Sequence, residues 1–193
     1  MVWLWLVLVL VLAWWVWSRF RPDHQLKCIV SKVDGNQYCV RDRSLSKQAA
    51  DLLAHARKNM TDVVDYLRHA YPDDPRTQRL LEYYNPAAIE EILPTSTLTA
   101  YTDNKGEKMA YCVTKQKQGK QPIDLHTLTF VALHELTHVL TVEADHPHVF
   151  WVNFKFVLQA AKDAGVHDPI NYREQPTQYC GMTVDDNPYY NDL

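Results

Sequence analysis

The chain reads as an α+β domain preceded by one N-terminal transmembrane helix, and three observations predict it. The opening run MVWLWLVLVLVLAWWVW carries no charge; two pairs of alternating segments flank turn signals, the mark of a small antiparallel sheet; and several longer segments carry apolar residues at helical period. With 193 residues in all, the part behind the apolar run can bury a core that does not depend on disulfides. The expected division is residues 1–21 for the anchor and 22–193 for one domain.

At ~1.5 Å rise per residue the apolar run would span roughly 25 Å, short of a hydrocarbon core but workable with local thinning. A cleaved signal peptide needs a positive n-region and a small-residue cleavage site, and neither is present. Trp residues cluster at both ends of the run, while Arg19, Arg21 and Lys27 lie only on its C-terminal side. The positive-inside bias then gives a single-pass protein with its domain on the cytosolic side and the lipid bilayer as a partner through residues 2–17.

A net charge of -3 with scattered Lys and Arg leaves no basic face for a phosphate backbone, which excludes nucleic acid as a primary partner. Cys28, Cys39, Cys112 and Cys180 could form two bridges, whereas cytosolic thiols usually stay reduced, so the compartment is left open by this count.

LKCIVSKVDGNQYCVRD reads as a hairpin about Asp34-Gly35, which would make Cys28 and Cys39 diagonal neighbours on one face. Residues 44 to 71 form a long amphipathic helix ended by Pro72, with Leu45, Leu52, Leu53, Met60, Val63 and Leu67 on its apolar stripe. The Asn59 sequon inside it is not expected to be used. Residues 76 to 93 suggest two short helices parted at Asn85-Pro86; STLTAYT and KMAYCVT then make a second hairpin around Asn104-Lys105-Gly106. Asp124 suits the N-cap of a helix over LHTLTFVALHELTHVLT, a further helix follows in HVFWVNFKFVLQAAKDAG, and the Pro- and Tyr-rich end from His167 reads as an ordered coil laid over the domain or as a loose tail.

The chemistry lies in HELTHVLTVEADHPHVFW, residues 134 to 151. On a helix His134 and His138 sit one turn apart on one face, so both imidazoles can reach a single zinc ion. Glu135, turned by about 100 degrees, can touch a water on that ion without ligating it, which suits a general base of peptide hydrolysis. Burying two unpartnered His and a Glu in so apolar a helix would otherwise be costly.

A catalytic zinc needs a third protein ligand. No Glu occurs from residue 144 to 173, and the position six past His138 is Ala144, which leaves Asp145, His146 and His148. Of these His146 is the best placed, because Phe150 and Trp151 of the next helix can pin it by packing.

HELTH with His146 eight positions on, FWVNFKFVL, KCIVSKVDGNQYCVRDR and YCGMTVDDNP together resemble a group of zinc metallopeptidases encoded by large double-stranded DNA viruses of algae and protists. The likeness runs from residue 26 to 190, and it extends more remotely, over the helix pair alone, to WLM and SprT-like peptidases. It implies a zincin-like domain with an active-site helix, His134, His138 and His146 as metal ligands, Glu135 as the base, and a protein or peptide substrate. The strand KMAYCVT would then be either the sheet edge over the cleft, where an extended peptide could pair, or an ordinary internal strand. Met182 is either a floor under the metal or a simple core methionine, and Tyr172 and Tyr179 either stabilise the transition state or have ordinary packing roles.

A second reading is a structural virion protein, a minor capsid component with its helix in an internal membrane, capsid proteins as partners and a structural or vestigial metal site. Viruses of the group resembled often carry thiol oxidases, which would allow disulfides on the cytosolic side.

Overall fold

A computed structural model describes residues 2–19 and 25–192. The elements are α1 (Val2–Arg19), β1 (Leu26–Val30), β2 (Gln37–Arg41), α2 (Ser46–Ala70), α3 (Pro75–Tyr83), β3 (Ile89–Glu91), β4 (Ala100–Asp103), β5 (Lys108–Tyr111), α4 (Leu125–Leu140), α5 (His148–Asp163), β6 (Thr177–Tyr179), β7 (Met182–Val184) and a 3-10 turn (Pro188–Tyr190). Phe20, Arg21 and Pro22, and with them the expected boundary at 21/22, lie outside the described residues.

The expected transmembrane anchor is not borne out. Among the described residues no helix is long and apolar enough to cross a membrane. α1 has 18 residues and ends on Ser18 and Arg19; at ~1.5 Å per residue it measures about 27 Å, whereas spanning a core of ~30 Å takes about 20 apolar residues. The single-pass localisation, the cytosolic placement and the bilayer contact through residues 2–17 rested on that helix and go with it.

The fold is α+β, but its main sheet is mixed rather than antiparallel. Strand order is β1-β2-β3-β5-β4; β1 with β2 and β4 with β5 are antiparallel, and β3 runs parallel to both β2 and β5. β3 occupies the stretch expected to be a second short helix. After Pro86 the chain alternates: Ile89 and Glu91 are buried, with Glu90 between them less so. Two parallel partners outweigh the weak helical preference of so short a segment. The Glu91 carboxylate accepts from the Arg41 backbone N–H at 2.8 Å and pairs with Arg43, which satisfies an acid held inside the domain.

In the first hairpin the Ser31 N–H bonds the Asn36 carbonyl at 2.9 Å, and the Asp34 carboxylate caps the Asn36 N–H at 3.0 Å within the loop. The turn is therefore longer than two residues. The register shifts with it, so Cys28 lies directly opposite Cys39 and the two are disulfide-bonded.

α2 packs across β1, β2 and β3 and also against α4, with Leu53, Met60, Val63 and Leu67 wholly buried. Asn59 donates its amide to Thr129 Oγ1 on α4 at 2.8 Å. α4 begins where Asp124 accepts from the Thr127 N–H at 2.8 Å. Because α2, α3, α5 and β4 surround it, α4 is buried on nearly every side and only a narrow face is free. The C-terminal stretch is mostly turn and coil, as expected, but it contains one short hairpin: β6–β7 is tied to the end of β5 by the Cys112–Cys180 disulfide and by Cys180 N–H to Thr114 O at 3.1 Å.

Candidate metal centre

On the free face of α4, one turn apart, stand His134 and His138, and the chain leaving α4 returns through residues 141–147 to bring His146 against them. One ring nitrogen from each histidine lies within 4.8 Å of those of the other two, and His134 Nε2 is 3.0 Å from His146 Nε2. Zinc bound by nitrogens at about 2.0–2.1 Å in a tetrahedral site sets neighbouring nitrogens roughly 3.3 Å apart, so the three side chains fit such an ion with small rotations.

Their protonation fits as well. Burial, then the charges of His138 and His146, lowers the His134 pKa to about 3, and burial, then His146 and Lys105, lowers His138 to about 4. Burial also lowers His146 below the ordinary imidazole value. All three therefore present lone pairs at neutral pH, the form in which imidazole binds metal.

Phe150, fully buried at the start of α5, is the surface on which the three rings rest. Its centroid is 4.9 Å from His134, 4.4 Å from His138 and 4.6 Å from His146. Trp151 stacks on His146 at 5.6 Å and 27°. The two aromatic residues thus hold the third histidine as their spacing suggested. His148, the first residue of α5, and Asp145 are not part of the cluster.

Glu135 is 5% exposed, and its Oε2 accepts from Thr102 Oγ1 on β4 at 2.8 Å. Burial raises its pKa to about 7 against the opposing Thr102 hydrogen bond. A carboxylate poised there exchanges a proton readily near neutral pH.

His134, Glu135, His138 and His146 open on a cleft of about 870 Å³. One wall is β4, including Tyr101 and Thr102; the other comes from β7 and the residues after it. The edge strand over the cleft is β4, since β5, in the segment KMAYCVT, is enclosed between β3 and β4.

Of the secondary candidates, the two tyrosines take packing roles and Met182 is neither floor nor core. Tyr179 lines the cleft, but its hydroxyl donates to Thr99 O at 3.2 Å and accepts from the Cys112 N–H at 3.1 Å, so it is a structural strut. Tyr172 is buried against Phe130, outside the cleft lining. Met182 is 47% exposed on the cleft wall, and Phe150 takes the place of a floor. Thr102 and Lys105 escaped the sequence reading, because a threonine in a strand and a lysine in a turn carry no pattern of their own.

The chain is 28% identical over 163 residues, 82% of each sequence, to uncharacterized protein R325 of Acanthamoeba polyphaga mimivirus. No protein-family model matches it. No solved structure matches it either. The zincin-like class implied by the resemblance thus has no structural neighbour, and the fold stands as α+β with a mixed five-stranded sheet.

Proposed function

We propose that this chain is a zinc-dependent metallopeptidase in which His134, His138 and His146 hold the metal and Glu135 is the general base. One observation carries the reading: three neutral imidazoles converge beside a buried carboxyl with a pKa of about 7, at the base of an open cleft. Zinc held there would supply Lewis acidity, lowering the pKa of water and polarising a peptide carbonyl.

The protein's own groups do the rest. Glu135 takes the proton released as water adds to the carbonyl carbon, and returns it to the amine nitrogen as the C–N bond breaks, so the carboxylate is regenerated. Thr102 holds the carboxyl in place. The free edge of β4 offers backbone N–H and C=O groups along the cleft, suited to an extended peptide or unfolded protein segment as substrate.

The test is metal analysis of the purified chain followed by a Glu135→Gln comparison on a mixture of unstructured peptides. The expected result is about one zinc per chain in both forms, with turnover lost by 100-fold or more in the variant. Wild-type protein without stoichiometric zinc overturns the reading. Zinc at full occupancy with no Glu135-dependent cleavage leaves the structural role, that of a metal-stabilised scaffold.

A further inference from the structure

Val142 through His146 is exposed throughout, and Asp145 takes a left-handed backbone (φ 60) just before the third ligand. A segment of that kind has little of its own to hold one conformation. Its root, however, is pinned from the sheet. The turn between β4 and β5 has Asn104, Lys105 and Gly106 all at positive φ, 47, 58 and 119. A Cβ on Gly106 would meet Tyr83 O at 2.6 Å and Val139 Cγ1 at 3.1 Å, so the turn is wedged against the ends of α3 and α4.

From this wedge Lys105 reaches across. Its ammonium donates to Thr141 O at 3.1 Å and to Glu143 O at 2.8 Å, where the chain leaves α4. The carbonyls at a helix C-terminus lack intrahelical partners and form the negative end of its dipole, so a cation bonded to the C-cap Thr141 fits there, and its second bond to Glu143 O ties down the chain beyond. Asn153 completes the root by donating to Thr141 Oγ1 at 3.0 Å.

We propose that Lys105 is a positioning residue for the third metal ligand: it fixes the root of the 141–147 segment so that His146 is already set against His134 and His138 when zinc arrives. The proposal rests on the metal reading above. It makes zinc affinity depend on a side chain that touches no ligand, as partners beyond the first shell do.

The full chain is compared with Lys105→Met and Lys105→Arg by chelator competition for zinc, and by amide hydrogen exchange in the metal-free protein. Lys105→Met should bind zinc about 10- to 100-fold more weakly, and exchange of the Thr141 amide, which donates to Thr137 O at 3.0 Å, should quicken while α2 and the body of α4 stay protected. Lys105→Arg, which keeps a cationic donor, should restore both. Wild-type affinity and exchange in Lys105→Met would overturn the proposal and leave the metal centre intact. A wild-type chain that takes up no zinc overturns the two together.

Discussion

Thr102 Oγ1 donates a 2.8 Å hydrogen bond to Glu135 Oε2, so the edge strand grips the carboxyl proposed as the base. The same hydroxyl lies 3.2 Å from the Glu135 carbonyl. Replacing it with valine keeps the shape of the side chain and removes the donor. Thr102→Val should lose about 1–3 kcal/mol in urea unfolding, because a buried acceptor is left unsatisfied. The Glu135 pKa should also rise, since the bond favours the charged form. Thr102→Ser should stay near wild type in both; a Val variant with unchanged stability and titration would show that this contact contributes nothing.

Zinc affinity should fall by no more than about 10-fold between pH 7.5 and 5.5. Three ordinary imidazoles with pKa about 6.5 would lose roughly 1000-fold by pH 5.5 through proton competition. Here His134 and His138 titrate near 3 and 4 and bring no competing protons over this range, so only His146, itself lowered below its usual value, can take one up. Competition with a chelator across that range checks it: a loss approaching 1000-fold would mean that burial does not depress these groups.

His167 supplies a separate acid sensitivity, outside the metal cluster. It is 3% exposed, its ring centroid lies 4.1 Å from that of His126, and its Nε2 has no protein partner. Burial, then the charge of His126, lowers its pKa to about 3. The unfolded chain binds a proton there below about pH 6.5 while the folded chain does not, so the contribution of this site is complete above pH 6.5 and falls away as the pH drops towards 3. The metal-free histidine cluster acts in the same direction, so the informative quantity is a difference. His167→Gln should show a smaller fall in Tm from pH 7 to 4.5 than wild type, both in chelator; identical slopes would refute it.

The Cys112–Cys180 disulfide closes a long loop, its ends 68 positions apart in the sequence, and holds the β6–β7 wall of the cleft. Chain-entropy reasoning gives such a crosslink roughly 4 kcal/mol at most. Cys112→Ser/Cys180→Ser should therefore lower stability by about 2–4 kcal/mol and speed proteolysis within residues 177–184. The backbone bonds from Cys180 and Gly181 to Thr114 and Lys115 remain, so the domain should still fold. Equal protease resistance would mean that those bonds suffice.

How far the sequence shows these features follows from the range of the interactions. His134, Glu135 and His138 are legible because one helical turn places them, and the α2 stripe because its burial repeats at helical period. His146 is legible through the neighbouring aromatic pair. β3 is not, since three residues become a strand only when β2 and β5 arrive from far away in the chain. The Cys28–Cys39 pairing turns on a longer loop that the Asp34-Gly35 signal conceals. The apolar N-terminal run is legible as a helix, while its length and polar end set it short of a membrane span.

Phe150 meets three imidazoles with one rigid ring, and that makes them mechanically interdependent. Shortening any one histidine frees the phenyl to tilt, which unseats the two that remain. Double-mutant cycles among His134, His138 and His146 should consequently depart from additivity, with most of the loss in metal retention reached at the first replacement.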